Sequence, residues 1–247
     1  ISPMLIGRSS GKDGPPIPGL ILEGLQGLLW YFLDVDVLGR IEALWRYPVK
    51  SLAPEPLQQA QIDAGGIPGD RARALVVREG HARMGKPYRG KEHHRLHTMT
   101  EPRSAIAAAR DRGVTVEIEG GPERHFFDDA PISVVFDAWI AEVERALEMR
   151  LDPQRWRPNF YVKAAPGFAM DETALCGAVL EAGSAVLRVR EPIGRCITVT
   201  YDVQTGEAEN DVLLYIAQRR GNRMGIYCDV EVAGTVRAGD DLRLRAR

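Results

Sequence analysis

Cysteine is scarce: three residues in 247, Cys176, Cys196 and Cys228. None forms a C-x-x-C pair, which argues against a zinc ribbon or a cysteine-ligated iron–sulfur cluster on this chain. An odd count, without a compact basic, apolar and small-residue cleavage sequence at the start, points to a reduced, cytoplasmic setting. Aromatic residues are few, at 7%, against 25 glycines and 16 prolines. That balance suits short strands joined by turns better than a helix bundle. No apolar run reaches membrane-spanning length, so no membrane partner is expected. Lys and Arg number 32 against 34 acids, for a net charge of -2. Nucleic-acid binding needs a clustered, uncompensated excess of cations, so that partner is not expected either. The phosphate loop G-x-x-x-x-G-K-[ST], the dinucleotide fingerprint G-x-G-x-x-G and the nucleophile elbow G-x-S-x-G are all missing, as is any internal repeat. What is left is an ordinary globular composition, long enough for one large or two small domains.

Residues 1–38 form an extension. Its Ser9-Ser10-Gly11-Lys12-Asp13-Gly14-Pro15-Pro16 stretch is loop-like, and a short apolar segment follows at 20–33. The expectation is a disordered or loosely docked segment. Strand alternation begins near Gly39, over 41–46, and leads into Tyr47-Pro48-Val49-Lys50-Ser51-Leu52. Lys50 and Ser51 there are either a solvated turn or a point charge and a donor for a phosphate or carboxylate. Strands are predicted at 57–63 and 72–78, joined by a turn that holds Gly69-Asp70-Arg71. Arg71 is either a surface partner of Asp70 or a fork for an anion.

Residues 81–97 hold His81, Arg83, Lys86, Arg89, Lys91, His93, His94, Arg95 and His97, the one local positive cluster. It reads as an anion-binding loop or lid, or as a solvated loop. A helix follows over 102–109, then an alternating strand over 114–119 that turns toward 124–127. A strand over 132–136 precedes a helix over 138–149 with Asp137 as its cap. Next comes Arg155-Trp156-Arg157-Pro158-Asn159. Arg157 and Asn159 share parity, so an extended chain places them on one face. A hairpin is predicted at 179–181 and 185–190, a helix at 211–218, and closing strands at 224–232, 235–236 and 242–244.

Between these lies Pro192-Ile193-Gly194-Arg195-Cys196-Ile197-Thr198-Val199-Thr200-Tyr201-Asp202-Val203-Gln204-Thr205-Gly206. Its first three residues read as a loop. The β-branched run after Cys196 alternates like a strand. Asp202 to Gly206 reads as the turn that ends it. Arg195 beside Cys196 would favour the thiolate, the reactive and metal-binding form. The other reading is a buried free cysteine packing as a small hydrophobe.

Taken in order, Tyr47-Pro48-Val49-Lys50-Ser51, Gly69-Asp70-Arg71, Arg155 to Asn159 and Arg195 to Gly206 resemble the MOSC domain and the N-terminal β-barrel that precedes it. Gly225-Ile226-Tyr227 and Gly234 to Asp240 extend the resemblance. It covers roughly residues 39–245. It is nearest to the amidoxime-reducing branch of that family. Val203 and Trp156 differ from the residues usual there, proline and phenylalanine. The resemblance implies a mainly β fold with a few helices (α+β), an N-terminal barrel-like domain at 39–127 and a MOSC domain at 128–247. It implies a molybdenum cofactor (molybdopterin), with Cys196 as metal ligand and catalytic centre. Lys50, Ser51, Arg71, Arg157 and Asn159 would surround the cofactor, with Arg195 beside the thiolate. The implied activity is reduction of N-hydroxylated small molecules, with electrons from a separate ferredoxin-, flavin- or cytochrome-type protein. Two further expectations are a sulfur carrier or transferase using a Cys196 persulfide, and a carrier that binds the cofactor without catalysis.

Overall fold

The computed structural model describes residues 37–121 and 124–245. The expectation for residues 1–38 therefore falls, but for its last two positions, outside the described residues. Twelve strands run in order among the described residues. They are β1 (Val37–Arg46), β2 (Glu55–Leu57), β3 (Gln59–Ile62), β4 (Arg73–Glu79), β5 (Thr115–Gly120), β6 (Ile132–Phe136), β7 (Phe160–Ala164), β8 (Val179–Ala182), β9 (Ala185–Gly194), β10 (Arg223–Val232), β11 (Gly234–Arg237) and β12 (Asp241–Leu244). Three α-helices join them: α1 (Pro102–Asp111), α2 (Asp137–Leu147) and α3 (Asn210–Arg219). The mainly β expectation holds.

Seven strands close into a barrel in the order β12-β8-β9-β10-β6-β7-β1, and β1 returns to pair with β12. β2 pairs with the last residues of β1, Leu44 to Arg46, beyond its pairing with β12. Closure leaves no free edge among those seven, which removes the usual hazard of unpaired strand groups. One pair, β6–β7, is parallel, and α2 makes the crossover that a parallel pair requires. The alternating residues of these strands fill the interior. Ile41, Leu44, Val134, Phe160, Leu187 and Leu242 are all buried there. Each such side chain contributes about 1.5–3 kcal/mol. A second core lies under β4, β5 and α1, built from Val49, Leu52, Leu75, Val77, Leu96 and Ala105. β3 pairs with β11, so a strand from the N-terminal segment also joins the last third of the chain.

Several predicted elements differ. The 57–63 strand is two, because Gln58 lies between β2 on β1 and β3 on β11. Residues 124–127 form no strand, although the Phe126 N–H donates to the Arg71 carbonyl at 2.7 Å. Asp137 is the first helical residue of α2 rather than its cap. Its carboxylate instead accepts the Ala164 N–H at 2.8 Å. Residues 192–194 belong to β9, not to a loop. The run after Cys196 is a 3-10 turn (Ile197–Thr200), not a strand. The Thr200 hydroxyl donates to the Ile197 carbonyl at 2.7 Å, a local bond that competes with a strand ladder. The turn packs Val199 and Thr200 inward, where both are buried.

Candidate functional site

A cavity of about 470 Å³ opens where the Tyr47–Ser51 loop, the Arg157 segment, the end of β9 and the 81–97 loop meet. Lys50, Ser51, Arg71, Arg157, Arg195 and Cys196 all line it. Residues drawn from four separated motifs thus converge on one space. Asn159, the seventh candidate, does not line it.

Backbone conformation places these side chains. Among the described residues, non-glycine residues with positive φ are Ser51, Arg71, Glu148, Arg157 and Asn222. Three of these line the cavity. A fourth, Asn222, holds the Arg195 backbone on both sides, each bond 2.9 Å long. Such conformations cost about 1–3 kcal/mol each and persist where surrounding contacts over-determine them. The left-handed turn at Arg157, φ 52°, also breaks the extended geometry expected for Arg157 and Asn159. The two residues do not share a strand face. They meet instead through Arg71, whose guanidinium donates to the Arg157 carbonyl at 2.9 Å and to Asn159 Oδ1 at 3.3 Å.

Tyr47 is the platform beneath these groups. Its ring is fully buried, and the Arg71 and Arg157 guanidinium carbons lie over it at 4.5 and 4.3 Å. Cation–π attraction of this kind stabilises by about 0.5–2 kcal/mol per pair. Burial raises the Tyr47 pKa, so the phenol stays neutral. It donates to the Pro158 carbonyl at 3.2 Å. Asp70 is buried and bonds both the Tyr47 N–H and Arg71. The Asp70–Arg71 pair is therefore internal, not a surface contact. Burial works to lower the Arg71 pKa, but Asp70 and Tyr47 more than offset it. Asn159 is buried too. Its amide accepts from the Ser133 N–H and hydroxyl and donates to the Trp45 carbonyl. It fixes the walls rather than facing the cavity.

Arg157 and Arg195 differ from Arg71. Burial pushes each guanidinium down to about 10. Neither forms an ion pair among the described residues. Arg195 donates to the Met224 carbonyl at 2.7 Å and the Trp156 carbonyl at 2.8 Å. Each arginine keeps one buried Nη2 without a partner among the described residues. A guanidinium does not release its proton near neutral pH. These two therefore present uncompensated charge, the condition an anion relieves. Gly225 makes room for Arg195: a Cβ there would lie 2.9 Å from Nη2 and 2.8 Å from Val135 Cγ2. Cys196 is exposed, and its thiol donates to Thr198 Oγ1 at 3.4 Å. Lys50 pairs with Asp128 at 2.5 Å.

Two elements that the sequence singled out take roles it did not specify. Arg155, of the Arg155 to Asn159 motif, is buried and pairs with Asp202 at 3.1 Å and with Glu209. Its other arm donates to the Thr200 carbonyl at 3.0 Å. It clamps the segment just after Cys196. The 81–97 loop is neither a detached lid nor fully solvated. His93 and His97 are buried, and Arg89 and Gly90 reach the cavity. Among the described residues, no cluster of His, Cys, Asp and Glu is arranged to hold a metal ion by itself. No described helix is long and apolar enough to cross a membrane.

Comparison with known proteins agrees with this architecture. The MOSC N-terminal beta barrel domain matches residues 38–127, and the MOSC domain matches residues 121–243. The two in tandem define a two-part β-barrel protein. The chain is a MOSC domain family protein. The YUAD protein from Bacillus subtilis has the same fold at 20% identity, with a TM-score of 0.54, covering 86% of this chain and 98% of that one. YiiM from Geobacillus stearothermophilus aligns at 22% identity and a TM-score of 0.39, over 48% of this chain and 56% of its own. No curated protein matches the chain.

Proposed function

We propose that this protein binds the molybdenum cofactor in the cavity beside Cys196 and reduces N-hydroxylated small molecules. MOSC domains are associated with that cofactor, which supports the binding part of the reading. The observation that carries it is an exposed thiol opening onto a cavity whose buried arginines keep unpartnered donors. Soft thiolate suits molybdenum, and forked guanidinium groups suit a pterin's phosphate.

Cys196 would be the metal ligand. Its thiol now donates a hydrogen bond to Thr198 Oγ1, and ligation would require the thiolate, so that proton would leave. Arg157, Arg195 and Arg71 would hold the anionic end, helped by Lys50 and the Ser51 hydroxyl. Asn159 acts indirectly, by fixing Arg71. When bound, the metal supplies two-electron redox chemistry for removing the hydroxyl oxygen. In balance, N–OH, two electrons and two protons give N–H and water. The electrons come from a separate ferredoxin-, flavin- or cytochrome-type protein.

Metal and pterin analysis of the purified protein tests this reading. Native protein should carry both. Cys196→Ser should lose molybdenum while keeping its unfolding transition. A variant that retains the metal would sink the assignment. A sulfane sulfur on Cys196, with little metal present, would assign sulfur transfer instead. Bound cofactor without reduction of benzamidoxime by a chemical donor would leave a carrier.

A further inference from the structure

The proposed cofactor residues leave one charged wall of the cavity unused. Arg89 and Gly90, from the basic 81–97 loop, form that wall. Gly90 lies against Thr198: a Cβ on it would stand 3.0 Å from Thr198 Oγ1. Thr198 is the residue whose Oγ1 accepts the hydrogen bond of the Cys196 thiol. Arg89 is therefore next to the residue that touches the thiol's own partner.

The cations around the cavity are mostly matched, and Asp129 adds a carboxylate to its lining. Lys50 has Asp128, Arg71 has Asp70, and Arg155 has Asp202 and Glu209. Arg157 and Arg195 are unmatched, and the cofactor reading already employs them. Arg89 lies between the two cases. Its Nη2 is 3.6 Å from Glu92 Oε1, an ion pair without a hydrogen bond. The other Glu92 oxygen accepts the Arg89 backbone N–H at 3.0 Å, so Glu92 mainly fixes the turn. Arg89 Nε is buried without a partner among the described residues. The side chain as a whole is one-third exposed, 33%. It can be reached from solvent, as a substrate contact must be.

We propose that Arg89 recognises the substrate and selects molecules bearing a carboxylate, or a similar small anion, near the reacting group. The proposal rests on the reductive reading of the cavity and deepens it by naming a substrate class. The two Nη groups, which make no hydrogen bond among the described residues, present a planar edge that suits a carboxylate, which accepts two parallel hydrogen bonds.

The probes are benzamidoxime and 4-carboxybenzamidoxime, which differ by one carboxylate. Equilibrium binding to the purified, cofactor-loaded protein is measured by calorimetry, and KM and kcat with a chemical electron donor follow. Wild type should bind the carboxylate compound about tenfold or more tightly than the neutral one, as expected for a charge-assisted pair. Arg89→Ala should remove that preference. Arg89→Lys should restore part of it, since the charge returns without the fork. Both variants should keep molybdenum and pterin, and kcat for benzamidoxime should stay close to wild type. The proposal is overturned if wild type shows no preference, or if Arg89→Ala keeps it. It is also overturned if either variant loses pterin, which would make Arg89 part of the cofactor's cradle. If the carboxylate compound binds through Arg89 yet neither compound is reduced, recognition stands and the reductive reading fails.

Discussion

Tyr47 shows how a single side chain governs the cavity's electrostatics. It follows β1 directly, and its ring carries both Arg71 and Arg157. Removing the hydroxyl and removing the ring should have different consequences. Tyr47→Phe keeps the π-face and leaves only the Pro158 carbonyl without its donor, at a cost of about 1 kcal/mol. Tyr47→Leu removes the surface under two cations and opens a void, at a cost of about 2–4 kcal/mol. Urea denaturation should rank them in that order. Bound pterin should survive in the phenylalanine variant and fall in the leucine variant. Equal losses in the two would show that the ring is only packing. A proline and a lysine beside Tyr47 made the loop legible in the sequence. Nothing there marked the tyrosine as a shared platform, because the second arginine arrives from more than a hundred residues away.

The element that bears Cys196 was misread by periodicity. Ile197 to Tyr201 has the β-branched alternation of a strand, yet it forms a 3-10 turn. Tertiary contacts override the propensity: Arg155 takes the Thr200 carbonyl, and α3 packs against the turn. Asp202 then ends it as expected, its carboxylate accepting the Gln204 and Thr205 N–H groups. Burial would raise the Asp202 pKa, but those bonds and Arg155 bring it below the usual value. The brace makes a prediction at this scale. Arg155→Ala should cost about 1–3 kcal/mol, less than a fully buried pair because Asp202 and Glu209 are partly exposed. It should also loosen the turn, so alkylation of Cys196, followed by peptide mass spectrometry, should accelerate. An unchanged Cys196 rate beside a lowered stability would limit Arg155 to a structural role. The cavity's members were largely readable because each lies in a short motif with its own turn. The brace was not, since the motif marks Arg155 but not its partners, and Thr200 and Glu209 reach it only through the fold.

At the scale of the whole molecule, pH acts through the 81–97 loop. Burial lowers His93 to about 4, with Arg112 and the neighbouring His94 adding to it. Burial also lowers His97, against the bond its Nε2 makes with the Asp202 carbonyl. A folded pKa below the unfolded value of about 6.5 means that the unfolded chain binds more protons in between. Stability should therefore fall as pH drops from about 6.5 toward 4, by at most about 3 kcal/mol from His93. Urea midpoints across that range should decline, and His93→Gln should flatten the decline; a slope unchanged by that variant would remove His93 from the account. Closure of the barrel sets the last expectation. By sequence β1 belongs to the N-terminal segment, but by pairing it seals the barrel between β7 and β12. Its Leu38, Ile41 and Leu44 are buried in the barrel core. Losing them forfeits about 1.5–3 kcal/mol each, and two strands lose their partners besides. That is comparable with the whole stability of a domain, about 5–15 kcal/mol. Residues 128–247 alone, or a chain starting at Tyr47, should therefore lack a cooperative urea transition and dispersed amide NMR signals. A chain starting at Val37 should keep both. A dispersed spectrum from 128–247 alone would show that the barrel closes without β1, and that the two sequence domains fold independently. If β1 is required, the strand that completes the barrel is also the one that delivers Tyr47, Lys50 and Ser51 to the cavity, so folding and site assembly are a single event.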